Sequence, residues 1–249
     1  MTPADLSGRV VAVTGASSGI GEATALACAR AGAAVSLAAR RIDRIEALAH
    51  RIQGEGGRAV AIETDVSDAE QAKAFVEGTH RELGRLDVLV NNAGVMLLGP
   101  IKDAPTEEWR RMVHVNLFGV LYCTHAALPL MEAQGSGHVI NVSSVAGRVA
   151  RAGSGVYNLT KWGVGAFSES LRQEVAERNV RVTLIEPGAV DTELAGHNRP
   201  EIQQVIEQNF KGIDRLVAED IADAIVYTIA VPQNVSVNEV LIRPTGQVR

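Results

Sequence analysis

A tyrosine and a lysine lie four residues apart in the segment Tyr157–Lys161, whose sequence is YNLTK. Residues at this spacing share one face of a helix, so the phenol and the ammonium can contact each other. Ser144 lies thirteen residues before the tyrosine, directly after a run rich in β-branched residues. A phenol, an ammonium and a hydroxyl held together could exchange a proton with the oxygen of a bound substrate.

One reaction that such groups could serve is the reduction of a carbonyl, in which a hydride reaches the carbon and a proton reaches the oxygen. A tyrosine donates this proton well only if its pKa falls from about 10 towards neutrality, which corresponds to about 4 kcal/mol. An ammonium about 4 Å away supplies a similar energy at an effective dielectric constant of about 20. We therefore expect Lys161 to lower the pKa of Tyr157. We expect Ser144 to donate a hydrogen bond to the carbonyl oxygen as negative charge develops there.

A glycine-rich turn, Thr14–Gly21 (TGASSGIG), follows the first predicted strand and opens the first predicted helix. Glycine permits a tight turn that a phosphate can approach closely, and the helix N-terminus offers free N–H groups to that phosphate. This context predicts a dinucleotide-binding turn, and a turn needed only for helix–strand packing is the alternative. The residues predicted to contact the cofactor here are Gly15, Ser17, Ser18, Gly19, Ile20 and Gly21.

The second predicted strand ends in Ala38–Arg41 (AARR). In doubly wound folds an acidic residue at this point binds the ribose 2′-hydroxyl of NAD and repels the 2′-phosphate of NADP. This chain has alanine there, followed by Arg40, which can bind a phosphate through two parallel hydrogen bonds, and by Arg41, which can assist. The pattern predicts NADP(H) as the cofactor, and two solvated loop arginines are the alternative.

The GxxxGxG spacing of the turn, the segment Asn91–Gly94 (NNAG) and the YNLTK segment together resemble the classical short-chain dehydrogenase/reductase family over essentially the whole chain. Within that family the sequence is most similar to the NADPH-dependent group of clavulanic acid dehydrogenase and the 3-hydroxy acid dehydrogenases. That similarity rests on segments such as Val95–Pro100 (VMLLGP) and Ser168–Val175 (SESLRQEV). One position departs from the pattern, because NADP-dependent members often have a basic residue where this chain has Ser18.

The resemblance implies roles for further residues. Asn116 would complete a catalytic tetrad with Ser144, Tyr157 and Lys161, its backbone holding a water that links the lysine to solvent. Lys161 and Tyr157 would also contact the cofactor, the lysine through the nicotinamide ribose. The other implied cofactor contacts are Asp65 and Val66 at the adenine, Asn92, Ala93 and Gly94 at the adenine ribose, and Pro187, Gly188, Val190 and Thr192 at the nicotinamide. For Asp65, a cap on the helix that starts near Asp68 is the alternative.

Short β-branched runs alternate with longer helical patterns along the chain. The predicted strands are Arg9–Val13, Ala34–Ala38, Ala59–Glu63, Val88–Asn91, His138–Val142, Val180–Ile185 and Glu239–Ile242. The predicted helices are Ile20–Ala31, Asp43–Gln53, Asp68–Leu83, Thr106–Met131, Val156–Arg178 and Glu219–Val231. Parallel pairing requires such alternation, so we predict one α/β domain over residues 1–249, a doubly wound parallel sheet of about seven strands (Rossmann fold) with helices on both faces. Residues 189–216 lack a clean period and are expected to form a substrate lid with a short helix.

The composition excludes several classes of protein. The net charge of −5 gives no basic surface for nucleic acid, and the 249 residues are 46% hydrophobic, which excludes a mainly disordered chain. Two cysteines, Cys28 and Cys123, are too few for a disulfide framework and are expected to be buried thiols in a reducing cytoplasm. The N-terminus lacks the pattern of a signal peptide, and no apolar run approaches the roughly 20 residues of a membrane helix. The histidines and acidic residues show no metal-ligand spacing, so no metal is expected.

The leading functional hypothesis is an NADPH-dependent carbonyl reductase that also oxidises alcohols, acting on a small ketone, aldehyde or keto ester. A NAD-dependent alcohol dehydrogenase and a non-catalytic dinucleotide-sensing protein are the alternatives. Met96, Leu97, Leu98, Val145 and Val149 are expected to line the substrate pocket. Arg148 and Arg151 could recognise a substrate carboxylate or be solvated loop residues. The family resemblance implies a homotetramer or homodimer that pairs through the helices Thr106–Met131 and Val156–Arg178.

Overall fold

The computed structural model describes residues 4–102 and 104–248. Seven strands form one sheet in the order β3-β2-β1-β4-β5-β6-β7, and every neighbouring pair is parallel. The strands are β1 (Val10–Thr14), β2 (Ala34–Ala39), β3 (Arg58–Glu63), β4 (Val88–Asn91), β5 (Gly137–Val142), β6 (Val180–Pro187) and β7 (Glu239–Ile242). The predicted doubly wound α/β fold is therefore confirmed.

Helices cover both faces of the sheet. They are α1 (Gly19–Arg30), α2 (Ile42–Gly54), α3 (Ala69–Leu83), α4 (Thr106–Val113), α5 (Gly119–Gln134), α6 (Gly155–Val175), α7 (Pro200–Asn209) and α8 (Ala218–Ala230). Successive strand residues alternate between the two buried cores: Val11 and Val13 pack on the side of α1, α2 and α8, whereas Ala12 packs on the side of α3, α5 and α6. This alternation explains why the strands are continuous apolar runs, since both faces are buried.

The long helical region that begins at Thr106 differs from the sequence prediction. It extends to Gln134, and five residues, His114–Phe118, form a π-helical turn between α4 and α5. The whole region, 29 residues with a mean hydropathy of 1.3 in its most apolar window, is long and apolar enough to cross a membrane by composition alone, which the sequence reading did not expect. In the fold, one face of it packs against the sheet through Cys123, Ala127 and Met131.

The order of the strands reverses between β1 and β4. From β1 the chain adds β2 and β3 on one side of the sheet, and from β4 it adds β5, β6 and β7 on the other side. In open parallel sheets a crevice forms at the carboxyl ends of the strands at such a switch point, and ligands bind there. The glycine turn follows β1 and the NNAG segment follows β4, so both motifs lie at this crevice. The segment 189–216 contains a 3₁₀ turn (Glu193–His197) and α7, and a bridge between Val190 and Leu216 joins its two ends.

Candidate active site

The glycine turn presents an open helix N-terminus. Gly15 and Gly19 have φ values of 66° and 56°, which L side chains rarely adopt, and a Cβ on Gly21 would lie 2.3 Å from the Gly15 carbonyl oxygen. Ser18 precedes α1 in an extended conformation and makes no side-chain cap, so the first N–H groups of the helix keep their hydrogen-bonding capacity. A helix end of this kind suits a pyrophosphate, and the turn therefore fits a dinucleotide.

The NNAG segment is tied to the glycine turn. The Thr14 hydroxyl accepts hydrogen bonds from the backbone N–H groups of Asn92 and Ala93, each at 3.0 Å. The Asn92 amide donates to the Thr14 carbonyl at 3.0 Å. Gly15 leaves no room for a side chain here, because a Cβ would lie 2.8 Å from the Ala93 Cα. The two motifs thus form one rigid floor where β1 and β4 end.

Tyr157, Lys161 and Ser144 meet at the neighbouring strand ends. Tyr157 and Lys161 lie on α6 and are 7% and 6% exposed, and the lysine Nζ is 5.8 Å from the centroid of the tyrosine ring. Ser144 follows β5 with an extended backbone; its hydroxyl accepts from the Ala146 N–H at 3.1 Å and donates to the Pro187 carbonyl at 3.4 Å, and it lies close enough to the phenol to lower the phenol pKa. The three sequence-predicted groups are therefore brought together in one pocket.

The electrostatics of this pocket differ from the expectation. Burial raises the pKa of Tyr157 to about 12, and the nearby Ser144 hydroxyl offsets only part of that increase. Burial also lowers the pKa of Lys161 to about 8, and its ammonium donates to the Val142 carbonyl at 2.9 Å. The prediction that Lys161 brings the tyrosine pKa towards neutrality is wrong for the chain's own residues. The physical reason is that desolvation favours the neutral form of both groups.

Asn116 lies in the π-helical turn and connects three elements. Its side-chain oxygen accepts from the Val95 N–H at 2.8 Å, and its amide donates to the Val95 carbonyl at 2.9 Å and to the Thr160 hydroxyl at 3.1 Å. Gly94 lies between this amide and the lysine, since a Cβ there would be 3.5 Å from the Asn116 oxygen and 3.8 Å from the Lys161 Nζ. Asn116 therefore holds the segment that follows β4 against α6. The water relay implied by the family resemblance stays a prediction.

Two positioning side chains next to the predicted residues escaped the sequence reading. The Ser143 hydroxyl donates to the Lys161 carbonyl at 3.0 Å. The Asn158 amide donates to the carbonyls of Ala146 and Val149 at 2.7 and 2.9 Å, which anchors the loop after Ser144 to the start of α6. Their only sequence signal is adjacency, since each is a buried polar residue beside a catalytic candidate.

At the nucleotide end, Arg41 rather than Arg40 lies on the glycine turn. Its Nη2 donates to the hydroxyls of Ser17 and Ser18 at 2.9 and 2.8 Å, while Arg40 is exposed at the edge of the cleft. Both arginines line the cleft, and the expectation that Arg40 binds the 2′-phosphate with help from Arg41 stays a prediction. Arg41 also brings positive charge to Ser18, the position at which the sequence departs from the expected pattern.

Asp65 and Val66 follow β3 at the wall of the cleft. The Asp65 carboxylate accepts from the Ser67 N–H at 3.0 Å and from its hydroxyl at 2.6 Å. Asp68, not Asp65, caps α3 by accepting from the N–H groups of residues 70 and 71. The capping alternative for Asp65 therefore does not apply, although its carboxylate does shape the turn before the helix.

The Pro187–Thr192 segment leaves β6 and is held from the C-terminal tail. The Gly188 N–H donates to the Ile242 carbonyl at 2.7 Å, and the Ala189 N–H donates to the Gln247 side-chain oxygen at 2.8 Å. A Cβ on Gly19 would lie 3.1 Å from the Thr192 methyl, so this segment packs directly on the glycine turn. Gln247, far from every motif in the sequence, is a positioning residue that the sequence reading missed.

A cleft of about 880 Å³ joins these parts. All the predicted nucleotide and catalytic positions line it except Asn116 and Gly21, which lie behind its wall, and Met96, Leu98, Val145 and Val149 line the substrate end. Leu97 instead packs in the core against Met112. Leu97 therefore does not line the cleft, contrary to expectation. Arg148 is not free to bind substrate either, because it forms a forked ion pair with the buried Glu186 and a second contact with Glu239.

Comparisons with known proteins agree with this geometry. A family model described as short chain dehydrogenase matches residues 9–203. An uncharacterized oxidoreductase of Staphylococcus saprophyticus is 43% identical over 243 residues, which cover 96% of this chain and 97% of that protein. The closed form of a serine dehydrogenase complexed with NADP+ has a TM-score of 0.90 at 32% identity, covering 96% of each chain. An alcohol dehydrogenase from the archaeon Thermococcus sibiricus, complexed with 5-hydroxy-NADP, has a TM-score of 0.86 at 33% identity, covering 96% of this chain and 97% of that one. The chain belongs to the short chain dehydrogenase family.

Proposed function

We propose that this protein is an NADP(H)-dependent carbonyl reductase and alcohol dehydrogenase that acts on a small ketone, aldehyde or keto ester. The observation that carries the proposal is the position of Ser144, Tyr157 and Lys161 in the same cleft as the open N-terminus of α1. One end of the cleft thus suits a dinucleotide phosphate and the other suits proton transfer to a carbonyl oxygen.

The residues that would hold NADP(H) surround the nucleotide end of the cleft. The turn from Gly15 to Gly21 would receive the pyrophosphate, and Arg41 with Arg40 would receive the 2′-phosphate. Asp65, Val66 and the Asn92–Gly94 segment would enclose the adenosine, and the Pro187–Thr192 segment would hold the nicotinamide carboxamide. The structural relatives complexed with NADP+ and 5-hydroxy-NADP support NADP(H) as the cofactor.

The bound cofactor would supply or accept a hydride. Tyr157 would act as the general acid in reduction and the general base in oxidation. With a pKa of about 12 the phenol holds its proton at neutral pH but is a weak acid, so the proposed donation depends on a fall of this pKa, which the positive charge of the oxidised nicotinamide would favour. Ser144 would stabilise negative charge on the same oxygen, and Lys161, with a pKa of about 8, is poised to pass a proton onward near neutral pH.

The substrate end combines apolar side chains with cationic residues. Met96, Leu98 and Val149 give it an apolar wall, and Arg151 lies at its rim. Residues from the 189–216 segment, including Ile202 and Phe210, line the opposite side, which supports its role as a lid. A small carbonyl compound with an apolar substituent would fit such a pocket.

One observation favours NAD as the cofactor instead. The Glu193 carboxylate pairs with Arg41 at 2.8 Å, so part of the positive charge that would attract a 2′-phosphate is already neutralised. A comparison of kcat/KM for NADPH and NADH decides between the two. Higher efficiency with NADPH supports the proposal, and equal or higher efficiency with NADH overturns the choice of cofactor.

We also propose a homodimer or homotetramer in the cytoplasm, acting without nucleic acid or membrane. Four large apolar side chains on the π-helical turn, α5 and α6 are exposed: Phe118, Leu121, Leu159 and Trp162. An exposed apolar patch of this kind marks an interaction surface. Light scattering coupled to gel filtration measures the oligomeric state directly. A monomer at micromolar concentration would contradict this part of the proposal.

The experiment that tests the activity is a panel of ketones, aldehydes and keto esters incubated with NADPH. Turnover appears as loss of absorbance at the band of the reduced nicotinamide. Turnover of at least one substrate class supports the proposal. Tight NADPH binding without oxidation across the panel would contradict it and favour a dinucleotide-sensing protein.

A further inference from the structure

A carboxylate from the lid segment occupies the arginines at the nucleotide end of the cleft. The two Glu193 oxygens accept from Arg41 Nη1 and Arg44 Nη1, each at 2.8 Å. The other nitrogens of Arg41 donate to the hydroxyls of Ser17 and Ser18. One of the chain's own anions therefore fills the position where two guanidinium groups converge beside the glycine turn.

The place of Glu193 in the chain makes this contact more than a surface ion pair. It opens the 3₁₀ turn Glu193–His197 and follows Thr192, whose methyl group packs against Gly19. The lid segment thus crosses the glycine turn, and Glu193 is its attachment to the start of α2. Movement of the lid and the availability of Arg41 are consequently linked.

A phosphate and this carboxylate compete for the same donor. Hydrogen bonds with Arg41 and Arg44 lower the pKa of Glu193 to about 2, so the carboxylate is ionised at any pH suitable for an assay. A 2′-phosphate that approaches Arg41 would meet a negative charge already held at Nη1 of that guanidinium. Two anions this close repel each other, so each weakens the binding of the other to the shared guanidinium.

We propose that Glu193 is a specificity-determining residue that competes within the chain for the site of the 2′-phosphate. When NADP(H) binds, Arg41 breaks its contact with Glu193 and binds the 2′-phosphate instead, which releases one attachment of the lid. When NAD(H) binds, the contact between Arg41 and Glu193 remains. The inference rests on the proposed function, because it needs a dinucleotide in this cleft. In this proposal the site contains arginines that favour binding of the 2′-phosphate and one glutamate that disfavours it.

The expected size of the effect follows from exposure. The side chains of Glu193, Arg41 and Arg44 are 47%, 41% and 46% exposed, so solvent screens their interaction. Exposed ion pairs contribute little, and removing the carboxylate also removes repulsion of the phosphate. We expect the affinity for a 2′-phosphate ligand to rise about three- to tenfold when Glu193 loses its charge.

Isothermal titration of 2′,5′-ADP and 5′-AMP tests the inference without turnover, since the two ligands differ only in the 2′-phosphate. In Glu193→Gln, the Kd of 2′,5′-ADP should fall about three- to tenfold while that of 5′-AMP stays the same. Glu201→Gln is the matched control, because it removes the same charge from the lid at a glutamate whose arginine partner, Arg199, is 3.7 Å away. The control should bind both ligands as the wild type does.

The outcomes separate the inference from the function beneath it. If the wild type binds both nucleotides but Glu193→Gln binds 2′,5′-ADP no more tightly than the wild type does, Glu193 does not compete with the phosphate and the inference is overturned. An equal gain in the Glu201→Gln control would overturn it too, since the effect would then be one of net charge. If the wild type binds neither nucleotide, the dinucleotide cleft itself is refuted and the inference falls with it.

Discussion

The Lys161 ammonium donates a hydrogen bond to the main-chain carbonyl of Val142, at 2.9 Å, and the lysine itself is almost fully buried. This contact ties α6 to the end of β5 and holds the charge beside the ring of Tyr157. Burial nevertheless outweighs the attraction between the two side chains, because the pKa of the phenol is about 12 and that of the ammonium about 8. In the proposed reaction, the positive charge of the oxidised nicotinamide would lower the pKa of the phenol.

Replacing Tyr157 with phenylalanine should abolish turnover and leave cofactor binding nearly intact. The change removes the hydroxyl that donates the proton and keeps the ring that packs against Val95 and Met112. General acid catalysis contributes about 10²- to 10⁴-fold, so kcat should fall by at least that range. NADPH oxidation measures kcat and cofactor fluorescence measures Kd. Activity within tenfold of the wild type would refute the role of the hydroxyl.

Replacing Lys161 with methionine should change how stability depends on pH. The folded-state pKa of Lys161, about 8, lies below its ordinary 10.5, so the unfolded chain binds more protons between these values. Lys161 therefore makes the free energy of unfolding rise with pH in that window, by up to about 1.4 kcal/mol per pH unit. The stability of the variant relative to the wild type should be greatest below pH 8 and decrease towards pH 10.5.

Urea denaturation of both proteins at several pH values measures this difference. Comparing the two proteins at each pH is necessary because burial raises the pKa of Cys28 and Cys123 to about 12, which opposes the lysine above pH 9. Both cysteines are present in both proteins, so their effect cancels. A difference that stays constant from pH 7 to pH 10 would show that Lys161 keeps an ordinary pKa.

Replacing Arg41 with alanine should weaken NADPH binding more than replacing Arg40 does. Arg41 donates to Ser17 and Ser18 at the glycine turn, whereas Arg40 is exposed at the edge of the cleft. Hydrogen bonds to charged groups contribute about 1.5–3 kcal/mol, which predicts at least a tenfold loss for the Arg41 variant. The ratio of kcat/KM for NADPH and NADH measures it. A larger loss in Arg40→Ala would restore the order expected from the sequence.

Replacing Asn116 with alanine should destabilise the fold by about 2–4 kcal/mol, because the buried N–H and carbonyl of Val95 both lose their partner. Thr160→Val is the control, since it removes the hydroxyl that Asn116 also contacts and keeps both bonds to Val95. Thr160→Val should lose less stability than Asn116→Ala. Denaturant unfolding measures both. Equal stabilities of Asn116→Ala and the wild type would contradict the positioning role of this amide.

Replacing Trp162 with glutamate should dissociate the proposed assembly. Trp162 is 51% exposed on α6, and a charge placed in an apolar interface would lack a partner. Tyr227→Glu is the control, because Tyr227 is 57% exposed on α8, on the other side of the sheet. Gel filtration with light scattering reports the mass. Retention of the wild-type mass in Trp162→Glu would place the interface elsewhere.

Several elements could be predicted closely from local pattern. The bounds of β4 and β7 agree with the sequence prediction, and those of α2 differ by one residue at each end. The π-helical turn at His114–Phe118 could not be predicted, because an extra residue in one turn hardly changes the apolar period of a long helix. Its reason lies outside the helix, where the Asn116 side chain reaches Val95 and Thr160.

The sequence by itself determined the strand–helix alternation, the glycine turn and the spacing of Ser144, Tyr157 and Lys161, because these depend on residues close together in the chain. The tertiary structure decided which charges are free and which are paired. Glu193 meets Arg41 across 152 positions, and Gln247 meets Ala189 across 58. Arg148 meets Glu186 across 38. Such pairs form only when the sheet brings distant strand ends and the lid together, and the burial that sets the pKa values of Tyr157 and Lys161 arises in the same step.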